Sequence, residues 1–233
     1  NLDQLAPYFS EDSALIVAAA VKRQFGDSLD VFRQNMAIVE NVCSLLEANP
    51  VKRVIFFSSA AVYGEETENT EISEQTQVNP TSYYGIAKYS AERLLKKVCE
   101  ANQSTSLVCL RPPLIYGPGD QGRTYGPAGF TANAIEGREI TLWGDGTELR
   151  EFVFIEDICR MIKYLLDSEF NGELNAVSGA SYCFADIIQV LESRFPDLEV
   201  ESKPRSKQKA DNAFVADRIK SLLPARFGFT NLE

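Results

Sequence analysis

Tyr84 and Lys88, in the stretch Tyr84-Gly85-Ile86-Ala87-Lys88, stand four residues apart, and on a helix that spacing stacks two side chains on one face. A phenol with a pKa of about 10 is a poor base at neutral pH, but a neighbouring ammonium favours the phenolate and lowers that value. A Tyr brought near 7 exchanges protons readily with a hydroxyl. Tyr83 is the rival phenol, yet five residues from Lys88 it points elsewhere on the helix. A Tyr and a Lys at this spacing also occur as a solvated helix pair, so the neighbours decide its meaning.

Two apolar runs are placed to bring groups beside that helix. Arg53-Val54-Ile55-Phe56-Phe57 leads into Ser58-Ser59-Ala60-Ala61-Val62-Tyr63-Gly64, a strand ending in two hydroxyls; in open α/β sheets, ligands bind outside the carboxyl ends of the strands. Ser106-Leu107-Val108-Cys109-Leu110-Arg111 is a second such run, stopped by Pro112 and Pro113, which cannot continue a central strand. Residues 14–20 form a short continuous apolar run, the pattern of a strand buried on both faces. Helical patterns cover residues 28–49, through Phe32, Met36, Val39, Val42, Cys43 and Leu46, and residues 84–101. This alternation predicts an α/β protein with a doubly wound parallel sheet. The acidic stretch between Gly64 and Asn79 predicts a solvated loop.

After Pro118 the pieces shorten. Helices are expected near 130–136, 158–166, 184–195 and 217–223, strands near 140–143 and 174–177, and a turn at Gly144-Asp145-Gly146. A main domain over 1–118 and a smaller lobe over 119–233 follow, with some segments of the second returning to the first. The literal G-x-G-x-x-G of Gly117-Pro118-Gly119-Asp120-Gln121-Gly122 follows the wrong strand and opens no apolar helix, so it reads as a loop. Residues 202–209 carry four basic side chains and read as a flexible loop.

Composition narrows the partners. The 233 residues are 45% hydrophobic, ordinary for a packed core, and the net charge of −10 argues against nucleic acid and anionic membrane surfaces, which need basic patches. No apolar run approaches the roughly eighteen residues of a membrane span. Five widely spaced cysteines without a C-x-x-C pair predict reduced thiols rather than a metal site or disulfide framework, as in a cytoplasmic protein. Asn102-Gln103-Ser104 fits a glycosylation sequon, expected to be unused without a signal peptide.

Six blocks stand in a telling order: Ala18-Ala19-Ala20, Asn35, the 58–64 block, Tyr84 with Lys88, Arg111-Pro112-Pro113, and Gly144-Asp145-Gly146 followed by Arg150-Glu151-Phe152-Val153-Phe154-Ile155-Glu156-Asp157. Together they resemble the extended branch of the short-chain dehydrogenase/reductase superfamily, the NAD-dependent epimerase/dehydratase family, and most of all UDP-glucose 4-epimerase relatives. The resemblance implies a Rossmann-like domain with a smaller C-terminal substrate-binding lobe. It also implies bound NAD, with NADP left open, a nucleotide-sugar substrate, and a homodimer through helices 28–49 and 84–101.

Residue by residue, the resemblance makes Tyr84 the acid/base and Lys88 the group that lowers its pKa and holds the nicotinamide ribose. Ser59 shares the proton or orients the sugar hydroxyl. Ala18, Ala19 and Ala20 pass their backbone under the cofactor, Lys22 reaches it, Asn35 ties the helix backbone near the site, and Ser58, Pro112 and Pro113 shape the cofactor pocket. Arg150 pairs with the nucleotide diphosphate, a task suited to a guanidinium fork. The alternatives are ordinary strand-end packing for the alanines, surface positions for Lys22 and Asn35, and a surface ion pair for Arg150.

Departures sharpen the expectation. Leu114 replaces the Asn that many UDP-sugar enzymes of this family carry, which weakens the diphosphate contact there. Sugar 4,6-dehydratases place an Asp-Glu pair directly after the strand hydroxyl; Ala60 and Ala61 stand here, so dehydration is not expected. The absence of histidine removes the GDP-fucose-synthase-like branch. No Gly-rich phosphate-binding turn precedes Ala18, and the chain does not begin with Met, so about 55–70 further residues, two βα units of roughly 30 each, are expected ahead of Asn1. The reading is a C4 epimerase of a UDP-hexose; a reductase of the same superfamily and a non-catalytic dinucleotide-binding scaffold remain open.

Overall fold

A computed structural model describes residues 4, 6–23, 26–102, 105–120, 126–205 and 208–232. The last two residues of the predicted sequon, the end of the 117–122 glycine loop and part of the basic 202–209 stretch lie outside the described residues. The first elements are β1 (Ala14–Val17), α1 (Leu29–Ala48), β2 (Arg53–Phe57), β3 (Asn69–Ile72), α2 (Tyr83–Ala101), β4 (Ser106–Arg111) and β5 (Leu114–Tyr116). They are followed by α3 (Gly126–Ile135), β6 (Ile140–Trp143), β7 (Leu149–Phe154), α4 (Ile155–Asp167) and β8 (Gly172–Asn175). The last are β9 (Ser181–Cys183), α5 (Phe184–Glu192), β10 (Val200–Lys203), β11 (Asn212–Phe214) and α6 (Asp217–Leu222).

The main sheet is parallel, in the order β1-β2-β4-β8. Alternate residues Val54 and Phe56 of β2, and Leu107 and Cys109 of β4, pack in one cluster with Val39 and Leu46 of α1 and Ala91, Leu95 and Cys99 of α2. The intervening Ile55, Val108 and Leu110 are equally buried, so the central strands are covered on both faces, as parallel sheets require. β1 departs from the expectation. It stops at Val17, and Ile16 is 43% exposed because β1 is an edge strand and only its Val17 side faces α1 and α2.

Each long helix starts where a hydroxyl satisfies a free backbone donor. Ser28 accepts from Val31 N at 3.3 Å, and Ser82 accepts from Gly85 N at 3.0 Å.

The chain divides into two compact units: residues 1–65, 74–112 and 160–176, and residues 66–73, 113–159 and 177–233. The boundary falls at 112/113, with 66–73 joining the second unit and 160–176 the first. In the second unit β5-β7-β9, β6-β10 and β3-β11 form three small sheets around Phe130, Ile140, Phe152, Ile187 and Leu191. β3 lies within the stretch expected to be a loop: only Ile72 of its four residues is buried, and it is held by pairing with β11.

Candidate active site

Tyr84 occupies the first turn of α2 and Lys88 the second, so the predicted stacking is present: the ammonium lies 5.7 Å from the centre of the Tyr84 ring and 5.0 Å from that of Phe56. Lys88 is 4% exposed, and Nζ donates to the Phe57 carbonyl at 2.6 Å. Ser59 follows the carboxyl end of β2, where its side chain accepts from Ala61 N at 3.2 Å and is hydrogen-bonded to the Tyr84 phenol. Tyr83, at 42% exposure, faces away.

Gly85 sets this approach. A Cβ there would lie 2.7 Å from the Ala61 carbonyl oxygen and 3.1 Å from Pro80 Cβ, so only glycine lets α2 begin this close to the 3-10 turn Ala60–Tyr63.

The electrostatics differ from the expectation. Burial pushes the Tyr84 phenol up to about 12, with the Ser59 hydrogen bond opposing and Glu65 adding to the rise. Burial pulls Lys88 down to about 8, with Glu92 opposing. Desolvation penalises both charged forms, and the group that lowers Tyr84 is Ser59 rather than the expected Lys88.

A charged network that residue spacing did not reveal sits behind this pair. The Arg111 Nε and Nη2 donate to the two Glu92 carboxylate oxygens at 2.8 and 2.7 Å, and Ser58 Oγ donates to Glu92 Oε1 at 2.5 Å. Arg111 Nη1 donates to Tyr63 OH at 2.9 Å, which donates to Asn175 Oδ1 at 2.8 Å. Glu92 lies four residues past Lys88, so the stripe Tyr84, Lys88, Glu92 was the available signal. The Ser58 hydroxyl serves Glu92 and its N–H donates to Leu110 O and Phe56 O.

Asn35 is buried and its amide is taken up locally. It accepts from Val21 N at 3.0 Å and donates to Val21 O and Val31 O at 3.0 and 2.9 Å, tying the segment after β1 to α1 rather than presenting polar atoms outward. Ala18 and Ala19 are exposed past the end of β1, Ala20 is half-buried, and Lys22 is exposed. Pro112 is buried, and its carbonyl accepts from Ala60 N at 2.9 Å, joining the ends of β4 and β2. Pro113 and Arg150 belong to the second unit. There Arg150 Nη2 pairs with Glu148 at 2.7 Å while Nη1 donates to Leu149 O at 2.8 Å and also to Ala210 O.

The residues fit a nicotinamide nucleotide on one count of their own. An ammonium has three donors; Lys88 spends one on Phe57, so it retains donors for an adjacent diol. The nearby cavity of about 10 Å³ lined by Val17, Asn35, Phe56 and Lys88 is of single-water size and is a packing gap. Among the described residues no group of side chains could hold a metal, and no helix is long and apolar enough to cross a membrane.

A parallel sheet with a Tyr-Lys-Ser cluster outside its carboxyl ends is the arrangement of a doubly wound, Rossmann-like fold. Residues 1–177 match the NAD dependent epimerase/dehydratase family, and the chain belongs to it. The N-acetyl-alpha-D-glucosaminyl-diphospho-ditrans,octacis-undecaprenol 4-epimerase of Escherichia coli O157:H7 is 30% identical over 85% of this chain and 60% of its own length. The GDP-mannose 3,5-epimerase of Arabidopsis thaliana is 30% identical over 81% of this chain and 54% of its own. The chain therefore spans between half and two thirds of these relatives. Among solved structures, the UDP-N-acetylglucosamine 4-epimerase of Methanobrevibacter ruminantium M1 superposes with a TM-score of 0.85 at 23% identity, covering 97% of this chain and 74% of that one. The UDP-glucose 4-epimerase of Thermotoga maritima gives 0.78 at 22% identity, covering 89% and 70%. These likenesses establish the fold.

Proposed function

We propose that the full-length protein carrying this chain is an NAD-dependent nucleotide-sugar epimerase, inverting C4 of a UDP-hexose through a 4-keto sugar with Tyr84 as acid/base. The observation that carries the reading is the Ser59–Tyr84–Lys88 cluster with Ala60 and Ala61 after Ser59: one proton can be moved, and the two positions that hold an acidic pair in sugar 4,6-dehydratases are alanines. NAD, when bound, supplies the reversible acceptance of hydride. At neutral pH the phenol is protonated and the ammonium charged, so the resting cluster is the acid form and donates to the keto oxygen. Lys88 and the positive end of α2 offset the phenolate left behind, which takes the C4 hydroxyl proton when the step runs the other way. Ser59 orients that hydroxyl, and the remaining donors of Lys88 hold the nicotinamide ribose. Arg150, released from Glu148, is proposed to meet the diphosphate.

A homodimer is proposed through α1 and α2, where Leu29, Tyr83, Ile86 and Leu94 are 39–45% exposed. A cytoplasmic setting is proposed on the five free thiols. The test is chromatography of products from UDP- and dTDP-sugars with and without added NAD(P)H. The C4 epimer should form without added coenzyme; turnover only with stoichiometric NAD(P)H consumption would establish the reductase instead, and no turnover with no bound nucleotide the scaffold.

A further inference from the structure

We propose that Glu92 is a positioning residue of this site: through Ser58 it fixes the end of β2 that presents the Phe57 carbonyl to Lys88 and the Ser59 hydroxyl to Tyr84. The inference rests on the acid/base reading of Tyr84. Ser58 lies between the two residues that touch the pair, and its hydroxyl is spent on Glu92 at 2.5 Å. Glu92 is 2% exposed. A carboxylate so buried is tolerated because the Arg111 fork meets both oxygens, the strong bidentate geometry. The same guanidinium reaches Tyr63, the last residue of the Ala60–Tyr63 turn that Ser59 caps. The turn carrying Ser59 is therefore clamped just before its start, through Ser58, and at its end, through Tyr63, by one ion pair.

Glu92 also acts on the charge of Lys88. Tyr84 and Glu92 face the ammonium from α2, the Phe57 carbonyl and the Phe56 ring from β2, and the neutral Asn35 shares its cavity from α1. Arg111 on β4 stands behind Glu92. Among the described residues Glu92 is the carboxylate that offsets the burial of Lys88, and removing its charge would also leave Arg111 as an uncompensated cation.

The experiment uses the full-length protein with Ser58→Ala, Glu92→Gln and Tyr84→Phe side by side. Ser58→Ala leaves the Arg111 pair intact; it should stay folded with a melting temperature a few degrees lower from the lost charge-assisted bond, and keep the wild-type sugar KM while kcat falls about tenfold, the scale of a small misplacement. Glu92→Gln should lower kcat and move the alkaline limb of its pH profile down by about one unit. Wild-type kcat in Ser58→Ala, or an unmoved alkaline limb in a folded Glu92→Gln, overturns the proposal; if Glu92→Gln does not fold, Ser58→Ala decides alone. Should Tyr84→Phe keep its rate, the acid/base reading itself fails; a loss at Tyr84 with none at Ser58 removes only the positioning role.

Discussion

On the proposed acid/base role, two demands compete at Tyr84: the phenol must be dry enough to act on one hydroxyl, and drying it raises the cost of its anion. The structure resolves this toward the protonated form, with Lys88 rather than Tyr84 titrating nearest neutrality. Tyr84→Phe should leave the fold intact and lower kcat by roughly 10²–10⁴, the usual scale of general acid/base catalysis, while Tyr83→Phe, on the exposed side, should change it far less; steady-state rates on both variants check this. Lys88 gives a second test. Its folded value of about 8 lies below its ordinary 10.5, so between those pH values the unfolded chain holds more protons and the contribution of Lys88 to stability rises with pH. Lys88→Met should abolish activity yet raise stability at pH 7 by about 1–2 kcal/mol after the lost bond to Phe57 is counted, an advantage that shrinks by pH 10 in urea titrations. The i,i+4 spacing disclosed this pair from sequence alone. The direction of its pKa shifts was not legible, since burial is set by α1 and β2, far away in the chain.

The elements place these groups with little slack. Gly85→Ala would drive a Cβ into the Ala61 carbonyl, a backbone atom that cannot turn aside; a loss of about 1–3 kcal/mol and a lower kcat are expected, read by thermal melts and rates. In the second unit, Glu151 is 1% exposed and accepts from Ser178 N, Ser178 Oγ at 2.9 Å and Gly179 N at 2.8 Å through one oxygen, while the other has no partner among the described residues. Burial raises its pKa, with those donors opposing. Glu151→Gln, which keeps an acceptor, should be near neutral at pH 7, whereas Glu151→Ala should cost about 2–3 kcal/mol by stranding buried donors; denaturant melts of both separate them. α1, α2, β2 and β4 were legible because each is long and patterned. β3, β9, β10 and β11 have three or four residues and few apolar ones, and exist through pairing that local sequence does not encode. β7 falls within the block ending at Asp157, where Arg150 and Glu151 interrupt the apolar pattern that marks the central strands.

For the whole molecule, family membership is settled over residues 1–177, while the relatives it resembles extend beyond this chain. The proposed dimer makes one prediction: Leu94→Glu, placing a charge on the exposed stripe of α2, should convert the full-length protein to monomer in sedimentation velocity without lowering its melting temperature as a core change would. The central claim is that hydride leaves C4 and returns to the same carbon while Tyr84 moves the proton. It is tested most directly with UDP-hexose deuterated at C4, incubated with the full-length protein without added coenzyme and followed by mass spectrometry and NMR. The account predicts that both C4 epimers accumulate with deuterium retained at C4 and that Tyr84→Phe slows this exchange by roughly 10²–10⁴. Deuterium lost from C4 to released coenzyme, or interconversion that proceeds equally well with Phe at position 84, would contradict it.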